Sequence, residues 1–191
     1  MTSRLRWTSK DLESFPDDGK RYEIIDGELY VSKQPHYYHQ RVCTRLGSFL
    51  EVWSSESELG EASSAPGLIF AEGDDVAPDI VWASFARLKM LLQPDGKLHA
   101  APELVIEVLS PGPRNETRDR EAKLKLYSRR GVSEYWIVNW MARHVEVYRR
   151  EQAQLHLAAT LLEPDTLTSP LLPGFSCHLA DLFKGMPTQI E

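Results

Sequence analysis

The chain has little cysteine, no long apolar run and no excess of positive charge, and each shortage removes a class of protein. Among its 191 residues only Cys43 and Cys177 are cysteines. Two distant thiols make neither a disulfide framework nor a zinc site, and a reducing cytoplasm is the plain expectation. No apolar stretch approaches the ~18–20 residues that a membrane span requires, so no membrane is expected as a partner. The opening Met1-Thr2-Ser3-Arg4-Leu5-Arg6-Trp7 lacks the apolar core of a secretory signal. A formal net charge of −6 speaks against a protein that coats nucleic acid without specificity. What is present is 42% hydrophobic content, enough for a real core. With no internal repeat or linker, residues 1–191 read as one domain.

Charge is unevenly spread. Arg114 to Arg130 carries seven Lys and Arg against three acids, whereas Glu51 to Asp79 is acidic with no Lys or Arg. A metal-using hydrolase could use the acidic patch for cations and the basic one for a phosphate chain. An ordinary solvated surface accounts for the same charges.

The local pattern predicts a mixed order of elements. Thr8-Ser9-Lys10-Asp11 resembles a capping box opening a short helix. Asp26-Gly27 between Tyr22-Glu23-Ile24-Ile25 and Glu28-Leu29-Tyr30-Val31 is a strong hairpin signal. Val42, Leu46, Phe49, Leu50 and Trp53 mark the core face of a helix from about Tyr37 to Trp53. A Ser- and Gly-rich loop leads to two strands, Gly67–Phe70 and Val76–Trp82, and a short helix spans Phe85–Leu92. Leu104–Leu109 is a buried strand, and a helix from about Glu116 to Arg130 stops at Gly131. Strands follow at Tyr135–Val138, His144–Tyr148 and near Leu155–Ala159, with a last turn at Leu179–Phe183. Hairpin, helix, strands, helix and strands in that order give an α/β (α+β) class, a mixed sheet flanked by helices.

Two acids stand out in this frame. Asp79 follows Pro78 at the edge of an apolar run, and Glu107 lies inside a strand of Leu, Val and Ile. A buried carboxylate is costly unless something charged meets it. Strand alternation places Glu103, Val105, Glu107 and Leu109 on one face and Leu104, Ile106 and Val108 on the other. If Asp79 lies on a neighbouring strand, both carboxylates can converge on Mg²⁺ or Mn²⁺, which favour hard oxygen ligands. At ~100° per residue, Lys123 projects into the apolar arc of Ala122, Leu124, Leu126 and Tyr127, and Lys125 projects away. A lysine on a core-facing stripe needs an acidic or phosphate partner, and Glu107 is the natural one.

Pro78-Asp79 followed by Glu107-Val108-Leu109 resembles the PD-(D/E)xK nuclease signature, with Leu109 in the usual lysine position. More of the chain is similar to the bacterial "putative restriction endonuclease" family, first defined as a domain of unknown function. The residues carrying that resemblance are Tyr22–Glu28, His39-Gln40-Arg41-Val42, Val76–Asp79, Pro102–Pro111, Lys123–Tyr127, Gly131–Val138 and Leu172–Phe175. Each motif is weak by itself, and their order and spacing together are strong. The resemblance implies a restriction-endonuclease-like mixed sheet with an N-terminal hairpin. It implies Mg²⁺-dependent hydrolysis of phosphodiester bonds in DNA, with Asp79 and Glu107 holding the metal and the Val108 backbone carbonyl as a further ligand. Lys123 then replaces the lysine missing at 109, and a homodimer or larger homo-oligomer is implied as well.

Each residue also has a plainer reading. Asp79 could bond backbone N–H groups at a strand end, Glu107 could form a structural salt bridge, and Lys123 could snorkel across the core. Glu23, Asp26 and Glu28 read first as hairpin-shaping acids, with Glu23 a secondary candidate for the site. His39 reads first as a packing or interface residue and second as a site residue. Leu109 and the acidic net charge keep an alternative function open, a catalytically inactive homo-oligomeric scaffold or nucleic-acid binding module. Hydrolysis of a smaller phosphate ester is a third reading.

Overall fold

In a computed structural model of the chain, residues 5–187 are described. Residues 1–4, where the opening residues of the expected leaderless start fall, lie outside them. Helix α1 (Ser9–Leu12) is short and opens on Thr8, whose backbone N–H donates to Asp11 Oδ2 at 2.8 Å. Strands β1 (Arg21–Ile25) and β2 (Glu28–Ser32) form the expected hairpin. Its two-residue turn holds Asp26 and Gly27 at φ 54° and 75°. Positive φ at both central positions matches the right-handed twist of the strands, which is why Asp-Gly turns the chain here.

Helix α2 (Tyr37–Ser57) buries His39, Val42, Cys43, Leu46, Leu50 and Trp53 along one stripe. Next comes β3 (Gly60–Ser64), in a stretch whose Ser and Gly content reads as loop. Gly60 is needed by the pairing rather than by a turn, since a Cβ there would sit 2.3 Å from the Ala83 carbonyl oxygen. Strands β4 (Leu68–Ala71), β5 (Asp74–Val76) and β6 (Ile80–Ser84) follow, then α3 (Phe85–Leu91) and β7 (Leu104–Val108). The expected single strand Val76–Trp82 is therefore two. Pro78 has no N–H for a ladder, and the chain leaves one sheet at Val76 and enters another at Ile80.

The expected helix from Glu116 to Arg130 is a composite. α4 (Pro113–Thr117) runs into a π-helix (Arg118–Lys123) and then α5 (Leu124–Arg130), which ends on Gly131 in the left-handed conformation. The chain closes with β8 (Glu134–Asn139), β9 (His144–Glu151), β10 (Gln154–Leu162), β11 (Thr166–Ser169), β12 (Leu172–His178) and α6 (Leu179–Leu182).

Six strands make the main sheet in the order β10-β9-β8-β7-β6-β3, and β1, β2, β4 and β5 make a second sheet in the order β2-β1-β5-β4. In the main sheet only β7 and β8 run parallel, joined by the composite helix. Alternation along β7 divides the core in two. Leu104, Ile106 and Val108 pack with α2 and the β11–β12 hairpin, whereas Val105 and Leu109 pack with Leu126 and Tyr127 of α5. Leu109 is thus sealed in the second core and unavailable as a polar group. None of the helices among the described residues is long and apolar enough to cross a membrane.

Candidate active site

The acids, the lysine and both secondary candidates meet where the two sheets approach. Asp79 lies one step beyond the last β6–β7 pair, Ile80 with Ile106, which brings it opposite Glu107. The backbone N–H of Val108 donates to Asp79 Oδ2 at 2.9 Å, the same oxygen that lies 3.2 Å from His39 Nε2. Arg21, from β1, donates to Asp79 Oδ1 at 3.1 Å and to the Ala77 carbonyl at 3.0 Å. Two elements distant from Asp79 in sequence, β1 and α2, therefore hold its carboxylate from both sides.

Along β7, Glu107 points to the face opposite Ile106 and Val108, as strand alternation requires. Lys123 Nζ and Tyr127 Oη each donate to its Oε1 at 2.8 Å, and no described residue bonds Oε2. Lys123 is fully buried, and Glu23 Oε1 lies 2.9 Å from its ammonium. Glu23 also accepts from the Ala77 N–H at 3.0 Å and faces Arg118 at 3.8 Å. Asp119 completes the set, with Oδ1 4.0 Å from Lys123 Nζ and accepting from Arg118 Nε at 2.8 Å. The π-helix makes this possible: its wide turn carries Asp119 and Lys123 inward at its two ends, both buried. Such turns recur at functional sites because the extra residue re-aims side chains.

Glu23 is thus a buried partner of Lys123 rather than an acid that merely shapes the turn. The hairpin turn falls instead to Asp26 and Gly27. His39 packs against Asp79 rather than at an interface. Asp119 is the residue that sequence reasoning passed over. Its spacing of four from Lys123 was the available signal, hidden because Asp119 was counted among surface charges.

The electrostatics divide along these contacts. Burial pushes the Asp79 carboxyl up, but the His39 hydrogen bond and the charges of His39, Arg21 and Lys123 outweigh it and hold the group well below the ordinary carboxylate range. Burial also pushes Glu107 up; Lys123 opposes it, yet the nearby Asp79, Asp119 and Glu23 add to it, and the group reaches about 8. For Glu23, burial is outweighed by Lys123 and Arg118, and the carboxyl is lowered. The Lys123 ammonium is raised because Glu107, Glu23 and Asp119 overcome its burial. One ammonium is thus shared by Glu107 and Glu23, at 2.8 and 2.9 Å.

A cleft of about 360 Å³ opens onto this cluster, with Asp79 and His39 in its wall and Lys20, Arg21, Lys33 and Arg118 around it. Much of the basic segment 114–130 is spent elsewhere. Arg120 pairs with Glu146, and Arg129 and Arg130 pair with Asp74. The cations facing the cleft come mainly from the N-terminal hairpin and its flanks, not from that segment. An anionic chain entering here would meet positive charge at the rim and carboxylates beneath.

The donors suit a divalent cation. Asp79 is held anionic, and no described residue bonds Glu107 Oε2, so the site offers hard oxygen ligands of the kind Mg²⁺ and Mn²⁺ take. His39, Cys43 and Asp79 also lie close enough, with ligand atoms within 4.8 Å of one another, to hold an ion.

Comparison with known proteins places this geometry in context. The Uma2 family model, described as "Putative restriction endonuclease", matches residues 9–180. A solved structure titled a putative nuclease belonging to DUF820, from Anabaena variabilis ATCC 29413, is similar with a TM-score of 0.74 and 19% identity. The match covers 92% of this chain and 97% of that one, and it establishes a restriction-endonuclease-like fold. The type IIG restriction endonuclease BpuSI aligns at a TM-score of 0.43 and 13% identity, over 76% of this chain and 15% of that one. The search of curated proteins gives no match.

Proposed function

The chain belongs to the Uma2 family of putative restriction endonucleases, and from that premise we propose that it is a Mg²⁺- or Mn²⁺-dependent endonuclease cutting DNA. The observation that supports the reading is a buried Asp79, bonded by the Val108 N–H next to the Glu107–Lys123 pair, in the wall of a cleft rimmed by cations. Asp79 and Glu107 hold the cation, with the Val108 carbonyl as a further ligand. The bound cation supplies Lewis acidity to the scissile phosphate. Arg21 and the Val108 N–H fix the Asp79 carboxylate, so that it need not reorganise during reaction. Glu23 and Tyr127 orient Lys123 and Glu107. Lys123 keeps a fixed positive charge beside the acids, where negative charge grows on the attacking water and the phosphate oxygens. Lys20, Lys33 and Arg118 bind the flanking phosphates of the strand.

We read the chain as one nuclease-like domain acting in the cytoplasm. Cutting both strands of a duplex calls for two such sites, hence a homodimer or larger assembly. Plasmid nicking and linearisation with Mg²⁺ or Mn²⁺ tests the proposal. Asp79→Ala, Glu107→Ala and Lys123→Ala should each lower the rate by roughly 10²-fold or more. Equal cleavage by all four proteins would refute it.

A further inference from the structure

His39 has so far been only a neighbour of Asp79. Its imidazole is buried on the 21-residue helix α2, with Nε2 3.2 Å from Asp79 Oδ2. The other ring nitrogen, Nδ1, meets Cys43 Sγ at 3.6 Å one turn along the same helix. An ion pair alone gives little reason for this placement, because Asp79 already has Arg21 on one oxygen and the Val108 N–H on the other. Two atoms bound at right angles to one small divalent ion lie about 3 Å apart. The His39–Asp79 separation matches that spacing, and both residues line the cleft.

We infer that His39 Nε2 is a nitrogen ligand of the cation held by Asp79, and that this mixed donor set makes the site favour Mn²⁺ over Mg²⁺. The inference rests on the cation-site reading above and extends it to the choice of ion. Mg²⁺ takes oxygen ligands and gives up its water reluctantly, whereas imidazole suits the first-row transition ions. Ligation through Nε2 needs the neutral ring, so the imidazole proton is carried on Nδ1, where Cys43 Sγ is a weak acceptor. The helix fixes the ring in place before the ion arrives.

Electron paramagnetic resonance of the full chain with Mn²⁺ tests this without cleavage. Loss of the free-ion signal measures binding, and pulsed spectra read nitrogen coupling from a coordinated imidazole. The expected wild-type spectrum contains that coupling, changed by isotope-labelled histidine and absent in His39→Gln. The same variant should weaken Mn²⁺ binding roughly 10–100-fold. Mg²⁺ binding, read by competition, should weaken by less than about threefold. If wild type binds Mn²⁺ in a manner lost in Asp79→Asn but shows no histidine coupling, the inference falls and the cation site stands. Binding that ignores both Asp79→Asn and Glu107→Gln overturns the site and the inference together. The wild-type spectrum carries the decision, so a poorly folded variant does not obscure it.

Discussion

Asp74 and Asp79 sit five residues apart in one acidic segment, and both are buried, yet they have unlike surroundings. Asp74 meets Arg129 and Arg130 and accepts from the backbone N–H of Asp26. Those arginines are about a third exposed, with side-chain accessibilities of 35% and 30%, so water shares their charge. Asp79, held by Arg21 and His39, adjoins a group of Glu23, Glu107 and Asp119 whose central cation, Lys123, has no exposure at all. The first acid is a finished structural tie between β5 and the end of α5. The second lines a cleft and adjoins a cluster in which three acids share one ammonium. Burial alone does not separate the two acids; the neighbours of each, and whether it faces an opening, do.

The comparison can be broken most forcefully by removing the shared residue of each cluster in turn. Lys123→Ala leaves Glu23 and Glu107 buried without their ammonium and should cost about 3–5 kcal/mol. Asp74→Ala, whose arginines can turn to water, should cost about 1–3 kcal/mol and spare cleavage by the folded protein. Urea unfolding of the metal-free proteins measures both. Equal costs would erase the distinction drawn here.

A smaller effect concerns pH. Glu107 is raised in the folded chain, so its contribution to stability is complete below the ordinary glutamate range and is lost as pH rises through about 8. Asp79 is lowered and works in the other direction: its contribution is present above the ordinary aspartate range and fades only in strong acid. The metal-free unfolding free energy should therefore fall between about pH 5 and 8, with a slope of at most about 1.4 kcal/mol per unit from Glu107. Glu107→Gln should flatten that limb; an unchanged slope would assign it to other groups. Smallest of all, Tyr127→Phe removes one hydrogen bond to Glu107 Oε1 and should cost about 1 kcal/mol in the same assay.

Much of the fold was legible in the chain. Asp26-Gly27 turns the hairpin because both positions take positive φ, and the apolar stripe of α2 lies where the three- and four-residue steps place it. Asp79, Glu107 and Lys123 were readable because each is a charge set in an apolar pattern, and charge in such a pattern demands a partner. What stayed hidden depended on contacts distant in sequence. β3 is a strand only because Gly60 allows close approach to β6, and its Ser-rich composition gives no local sign of that. Glu23 looked like a turn residue because nothing near it in sequence shows that β1 passes over Lys123. Along its own helix His39 meets only Cys43, and Asp79 is brought to it by the sheet.

The π-helix has a mechanical meaning as well as a chemical one. The segment that contains it is pinned at one end by Lys123 among the acids and at the other by Arg129 and Arg130 on Asp74. Two anchors on one rod must agree in phase, and a regular helix fixes that phase by its residue count alone. The wide turn lies at and before the first anchor and sets the angle at which the rod leaves it. It works as a vernier: one loosened turn lets an inward lysine and a pair of outward arginines each find their seat.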